Sequence, residues 1–229
     1  MYKVVEIFDS IEGEGKRAGR PATFIGLAGC NLRCTYCDTL YALFGEDEEC
    51  RFTQMTLEEI MSRNIKHCVT ITGGEPLLAD GIDELVDRLL FDGHEINIET
   101  NGAVDIMQLL SDICIHEEDK LFFTIDYKLP SSGEEDKMLF SNFESLMPTD
   151  VIKFVVGSDE DFSRMIEIIN KVKPYYDMES MPQIYIGCVY GKYDLKSLTE
   201  KIISEPLLES AYLQLQLHKI IWNPDQRGV

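Results

Sequence analysis

Residues 29–39 read GCNLRCTYCDT, and Cys30, Cys34 and Cys37 within them follow a C-x3-C-x2-C spacing. Three thiolates this close in sequence can hold three corners of an iron–sulfur cubane, leaving the fourth iron without a protein ligand. Structural zinc asks for four ligands, typically as two separated pairs. The nearest further donors, Cys50 and His67, fall outside the spacing.

Working outward, the cysteine stretch follows an apolar run, Ala22–Leu27 (ATFIGL), that reads as a strand. Further strands are expected at Cys68–Thr72, Glu95–Glu99, Leu121–Asp126, Val151–Val156 and Gln183–Cys188, and a final one at Tyr212–Leu217. Helical patterns separate them. Thr56-Leu57-Glu58-Glu59 forms a capping box before a short helix through Met61. Ile82, Leu85, Val86, Leu89 and Leu90 make an amphipathic stripe stopped by Gly93. Asp105–Leu110 reads as a helix, and Ser158 and Asp194 can cap two more. Strands alternating with helices imply βαβ units and a parallel sheet. The expected fold class is α/β, a partial (open) TIM-like barrel of about six parallel strands with flanking helices, in one domain over 1–229. Chemistry in such folds gathers at the C-terminal ends of strands. The cysteine stretch, Thr72-Gly73-Gly74-Glu75-Pro76, Glu99-Thr100-Asn101-Gly102 and Asp126-Tyr127-Lys128 all fall at such ends.

The net charge is −20, and the short stretch Lys16-Arg17-Ala18-Gly19-Arg20 is the one basic concentration. Nucleic-acid binding needs a basic footprint, so a small-molecule substrate is expected and no nucleic acid. No apolar run reaches the ~20 residues that span a bilayer, and the first residues lack a signal-peptide pattern. A soluble, cytoplasmic protein without membrane contact is expected. Of seven cysteines, Cys50, Cys68, Cys114 and Cys188 are scattered and read as small buried hydrophobes. His67, His94 and His116 read as surface positions. Lys153, inside an apolar strand, either faces a polar site or reaches out to solvent, because an unpaired buried charge is costly.

The cysteine triplet resembles that of the radical S-adenosylmethionine (SAM) superfamily. The resemblance implies a radical SAM fold and a [4Fe–4S] cluster on Cys30, Cys34 and Cys37. It implies that SAM chelates the open iron and is cleaved to a 5′-deoxyadenosyl radical that abstracts a substrate hydrogen. Gly73, Gly74 and Glu75 resemble the superfamily's SAM-contacting motif, although an ordinary strand-to-helix turn sealed by Pro76 would read alike. By the same resemblance Tyr36, Asp38, Asp126, Tyr127 and Lys128 contact SAM.

Phe8–Gly15 (FDSIEGEG), Cys-Asp-Thr after the triplet, and QLHK at 216–219 running on to Trp222 and Pro224 narrow the resemblance to the 7-carboxy-7-deazaguanine synthase family of queuosine biosynthesis. That resemblance implies a lyase that converts 6-carboxy-tetrahydropterin to 7-carboxy-7-deazaguanine by ring contraction with loss of ammonia. It implies Mg2+ at Thr39, and substrate contacts from Ile11, Glu12, Gly13, Glu14, Thr72, Glu99, His218 and Pro224. It also implies an electron donor such as flavodoxin or ferredoxin, and a homodimer. Two positions depart from the family. Glu12 stands where Gln is usual, and Gly26 stands where an Arg usually precedes the first cluster cysteine by four residues. A buried substrate carboxylate needs a cation, so Arg20, or else Arg17, is expected to take that place. Two other readings are a small radical SAM activase that makes a glycyl radical on a partner, and a non-catalytic iron–sulfur or zinc-binding protein.

Overall fold

The computed structural model describes residues 1–43, 51–116, 120–177 and 179–229. Cys50 and the acidic run Glu46–Glu49 lie outside the described residues. The elements, in chain order, are β1 (Tyr2–Ile11), β2 (Pro21–Leu27), β3 (Thr53–Met55), α1 (Leu57–Met61), β4 (Cys68–Gly73), α2 (Ile82–Phe91), β5 (Glu95–Thr100) and α3 (Ile106–Asp112). They continue with β6 (Lys120–Tyr127), β7 (Val151–Val156), α4 (Asp159–Val172), β8 (Gln183–Cys188), α5 (Leu195–Ser204), β9 (Tyr212–Leu213) and α6 (Leu217–Ile221).

Among the described residues the strands form one open sheet in the order β3-β1-β2-β4-β5-β6-β7-β8-β9. From β2 to β9 every pairing is parallel; β1 runs antiparallel to both β2 and β3. This is the expected α/β half-barrel, with an antiparallel flap added at one edge. The capping box on α1 is present, and Ser158 and Asp194 cap α4 and α5. Ile82, Leu85, Val86, Leu89 and Leu90 are all buried on the sheet side of α2. Each such side chain stabilises the fold by roughly 1.5–3 kcal/mol relative to exposure. No helix among the described residues is long and apolar enough to cross a membrane.

Period-two alternation sorts the strands into two lanes. Ile25, Leu27, Val69, Ile71, Ile96, Ile98, Phe123, Ile125, Ile152 and Phe154 form the core with the helices. The opposite lane faces the half-barrel interior and is largely polar: Gly26, Thr72, Glu99, Thr124, Asp126 and Lys153 line its cavity. Cross-strand register sets Gly26 beside Thr72, Glu99 beside Thr124, and Asp126 beside Lys153. The function of this molecule is therefore written on alternate residues.

The expected strand Tyr212–Leu217 is shorter than its pattern. Only Tyr212 and Leu213 pair with β8; Gln214 donates its N–H to Ile186 but turns its side chain inward, where it accepts from the Gly15 N–H at 2.9 Å. Leu217 then opens α6, so His218 lies on a helix rather than at a strand end.

Candidate functional site

The loop after β2 carries Cys30, Cys34 and Cys37 as free thiols lining one small cavity of about 140 Å³. Two glycines let this loop sit against the end of β4. A Cβ on Gly73, whose φ is +122°, would meet the Leu27 carbonyl oxygen at 2.1 Å, and one on Gly74 would meet that of Gly29 at 2.1 Å. The backbone bonds Gly74 N–H to Leu27 O (3.0 Å) and Glu75 N–H to Gly29 O (2.7 Å) close the contact. Cys30 Sγ accepts from the Leu32 N–H at 3.4 Å and from Asn101 Nδ2 at 3.6 Å. Burial, with Asp126 and the two neighbouring thiols, pushes the Cys34 thiol up to about 11 against the opposing pull of Lys128. A positively charged metal centre reverses that preference, since a coordinating thiol is deprotonated outright. Among the described residues no three His, Cys, Asp or Glu side chains are grouped to hold a single metal ion. Three thiols set around a cavity, with N–H groups directed at sulfur, suit a polynuclear cluster better.

The small cavity adjoins a larger one of about 1130 Å³. That exceeds the usual range for one small ligand. Tyr36, Asp38, Thr39, Gly74, Asp126 and Lys128 line both. Asp126 Oδ2 accepts from Lys128 Nζ at 2.8 Å, while Asp126 Oδ1 and the Tyr36 hydroxyl are buried without a hydrogen-bond partner among the described residues. Two orphaned polar atoms beside the thiols are what a bound nucleoside would satisfy. Thr39 Oγ1 lies 3.5 Å from Cys37 Sγ.

Deeper in the larger cavity, Thr72 Oγ1 donates to Glu99 at 3.0 Å. Burial pushes the Glu99 carboxyl up to about 7, with Glu12 and Glu14 adding to it and Lys153 opposing. Lys153 resolves its two readings by facing inward, ion-paired with Glu14. Burial opposes its charge, but Glu14, Asp126 and Glu99 outweigh it and hold its pKa above the ordinary lysine value. Ile11, Glu12, Gly13 and Glu14 reach the cavity from the end of β1, and Pro224 reaches it from the segment after α6. A Cβ on Gly13 would come within 2.7 Å of His218 Nδ1, and Leu217 N–H bonds the Gly13 carbonyl at 3.1 Å. Only glycine admits α6 this closely. Burial keeps the His218 pKa below its ordinary value.

Several expectations are corrected. Arg20 does not enter the cavity: it pairs with Glu95 at 3.0 Å, at the start of β5 and the opposite end of the sheet from the thiols. Arg17 is buried on the same floor, donating to Glu12 (2.5 Å), Thr70 Oγ1 (2.7 Å) and the Val69 carbonyl (2.9 Å). Lys16 bonds the Thr149 carbonyl and lies 3.5 Å over the Phe122 ring. The basic loop is thus a plug under the half-barrel, because carboxylates and strand-start carbonyls await it there. It also claims the Glu12 carboxylate. Tyr127 falls in the outward lane and packs on Phe143 and Phe154, away from Asp126 and Lys128. The Glu75 side chain is buried and accepts from Leu77 N–H, Thr100 Oγ1 and Asn101 N–H, tying β4 to β5; the expected contact of this motif with SAM is through its backbone and stands as a proposal. Cys114 is exposed, and Cys188 is half-buried against the small cavity; Cys68 alone of the three is fully buried. Sequence reasoning missed Glu6, Tyr41 and Arg227, which share one wall of the larger cavity. No motif marks them; only the β1–β2 register could have suggested Glu6.

Three clustered thiols on the first parallel loop of an open half-barrel, beside a glycine-lined strand end, define a radical SAM enzyme. In agreement, a family profile described as the Radical SAM superfamily matches residues 24–122. The 7-carboxy-7-deazaguanine synthase of Clostridium acetobutylicum is 42% identical over 233 residues, spanning 100% of this chain and 99% of that protein. The synthase of Methanospirillum hungatei is 39% identical, spanning 97% and 86%. The crystal structure of QueE from Escherichia coli shares the fold with a TM-score of 0.70 at 24% identity, covering 94% of this chain and 93% of that one. Streptococcus suis SuiB bound to S-adenosylmethionine aligns with a TM-score of 0.53 at 15% identity, over 81% of this chain and 44% of that one. The chain belongs to the 7-carboxy-7-deazaguanine synthase family.

Proposed function

We infer that this protein is a radical SAM lyase that forms 7-carboxy-7-deazaguanine from 6-carboxy-tetrahydropterin. The observation that carries the reading is full-length similarity to synthases at up to 42% identity, on a chain with three thiols beside a cavity large enough for two ligands. The activase and non-catalytic readings are not favoured by these relatives.

A cluster and SAM, when bound, supply the radical chemistry at the open iron. This chain's residues bind, aim and manage protons. Cys30, Cys34 and Cys37 would hold three irons. Gly73 and Gly74 bring bare backbone to the strand end, and Tyr36, Asp38, Asp126 and Lys128 would hold the nucleoside. Ile11, Gly13, Glu14, Thr72, Glu99, His218 and Pro224 surround the pterin. Loss of ammonia needs a proton on the departing nitrogen. A carboxyl near pH 7 is half-protonated at neutral pH and suited to deliver it; Glu99 meets that requirement. Support for Mg2+ at Thr39 is the hydroxyl at the junction of the two cavities, and a hard cation that keeps its waters accepts such a sparse protein contribution. Support for a homodimer is the exposed apolar set Tyr212, Leu213, Ile220 and Ile221 on β9 and α6. An electron-transfer protein such as flavodoxin or ferredoxin would serve as reductant.

The deciding experiment is anaerobic incubation of the reconstituted protein with SAM, reductant and 6-carboxy-tetrahydropterin, read by mass spectrometry. Formation of 7-carboxy-7-deazaguanine is expected. SAM cleavage without that product would defeat the assignment.

A further inference from the structure

The larger cavity is lined by Glu6, Glu14, Glu99 and Asp126, so a ligand bearing a carboxylate enters a field of its own sign. Apart from a metal at Thr39, it needs a protein cation whose charge is not already spent. Lys128 lies 2.8 Å from Asp126, Lys153 is ion-paired with Glu14, and Lys219 lies 3.0 Å from Asp38. All three ammonium side chains are largely buried against their partners. The two arginines expected to serve, Arg17 and Arg20, are committed to the floor.

One guanidinium at the cavity wall is differently placed. Arg227 sits over the Tyr41 ring, its Cζ 3.6 Å from the centroid, and its one ion pair among the described residues is a loose 3.5 Å approach to Glu6 Oε2. A guanidinium held over an aromatic ring keeps N–H groups that can form a bidentate fork with a carboxylate, and the single long contact to Glu6 is weak competition for them. The Tyr41 hydroxyl donates to Glu6 Oε1 at 2.8 Å, which fixes the carboxylate that holds Arg227. Glu6 stands opposite Gly26 in the β1–β2 register, and a Cβ at Gly26 would come within 3.3 Å of Glu6 Cγ. The bare Gly26 therefore leaves the wall at this level to Glu6, Tyr41 and Arg227. One interior step deeper, Phe8 and Phe24 stack at 5.1 Å and line the same cavity, offering an apolar surface to a fused ring.

We propose that Arg227, carried on the segment after α6 and stacked on Tyr41, receives the carboxylate of the substrate and product. Glu6 is its placeholder until the ligand arrives. The assignment rests on the synthase reading and names the specificity residue of that same site.

The test is calorimetric binding to the anaerobic, cluster-reconstituted protein with SAM present, using two probes: 7-carboxy-7-deazaguanine and 7-deazaguanine, which lacks the carboxylate. Arg227→Ala should weaken the carboxylated probe by roughly 10- to 100-fold, the size of one charged hydrogen bond. Affinity for 7-deazaguanine and for SAM should stay within about twofold. Arg227→Lys should retain part of the difference, as a point charge without the fork. Equal weakening of both probes would mean that Arg227 only holds the segment in place, and would overturn the proposal. So would unchanged binding in Arg227→Ala, or selectivity lost instead in Lys192→Ala, the exposed lysine on the same rim. If the wild-type protein binds 7-deazaguanine compounds of neither kind, the synthase reading itself fails.

Discussion

At the scale of single residues, the chemistry concentrates in three side-chain types. Replacing Cys30, Cys34 or Cys37 by Ala should abolish SAM cleavage and cluster assembly, whereas Cys68→Ala, in the core, should leave iron near the roughly four per chain of a cubane. Full SAM cleavage by Cys37→Ala would refute the cluster assignment. Thr39→Val keeps the volume and deletes the hydroxyl; turnover at limiting Mg2+ should fall while SAM affinity holds, and unchanged turnover would remove Thr39 from the metal site. Glu99 carries the pH dependence. Its folded-state value, near 7, lies above the 4.5 of a free glutamate, so the native state holds the proton more tightly than the unfolded chain. Stability from this group is complete below about pH 4.5 and is lost as pH rises through 7. Glu99→Gln should therefore gain about 1–3 kcal/mol on wild type between pH 5 and pH 8 in urea titrations. The same variant should lose the inflection near pH 7 in its kcat profile. A stability difference that is flat with pH would show that Glu99 is ionised throughout.

At the scale of elements, the parallel strands and capped helices were legible because their apolar periods are undisturbed. The capping box at Thr56 and the stripe on α2 are local signals that tertiary contacts only reinforce. Three features were not legible. β1 mixes charged and apolar residues because one of its faces lines the cavity, so its pattern does not announce a strand. β9 was overread because YLQLQL alternates, yet Gln214 is needed inward to bind Gly15. Arg20 or Arg17, in the loop Gly15–Arg20, was expected to pair with the substrate carboxylate because these are the cations nearest in sequence; the loop's actual acceptors, Glu95 and the Thr149 carbonyl, are far off in sequence. That buried plug gives a firm expectation. Arg17→Met removes the guanidinium from Glu12 and leaves its buried carboxylate with the Thr70 hydroxyl but no cation, which costs about 3–5 kcal/mol. Denaturant midpoints measure this, and the double variant Arg17→Met with Glu12→Gln should recover most of it. If the single variant is as stable as wild type, Glu12 is not the charge that Arg17 holds. Gly74→Ala should be worse tolerated than its size suggests, since the atom in its path is the Gly29 backbone.

For the whole molecule, charge is the governing quantity. With a formal charge of −20 on 229 residues, self-repulsion opposes the compact state and is screened by salt over a Debye length of roughly 10 Å at 0.1 M. The melting temperature should rise between 20 mM and 500 mM NaCl, as read by calorimetry. A flat or falling curve would mean that the ion pairs lining the cavity outweigh the overall repulsion. The same surface predicts slow encounter with an acidic electron donor at low ionic strength, with reduction rates that increase as salt is added.

The two ends of the described chain are not equivalent for anyone who must purify this protein. Met1 is two-thirds exposed, and the buried Tyr2 beside it is anchored through its hydroxyl to the Gly81 carbonyl. A peptide handle placed ahead of Met1 would trail into solvent. Gly228 and Val229, by contrast, line the larger cavity. A run of histidines placed directly after Val229 would start at the rim of the cavity that Cys37 also lines, at the entrance that substrate must use, and would be read in assays as a weak, metal-loving inhibitor.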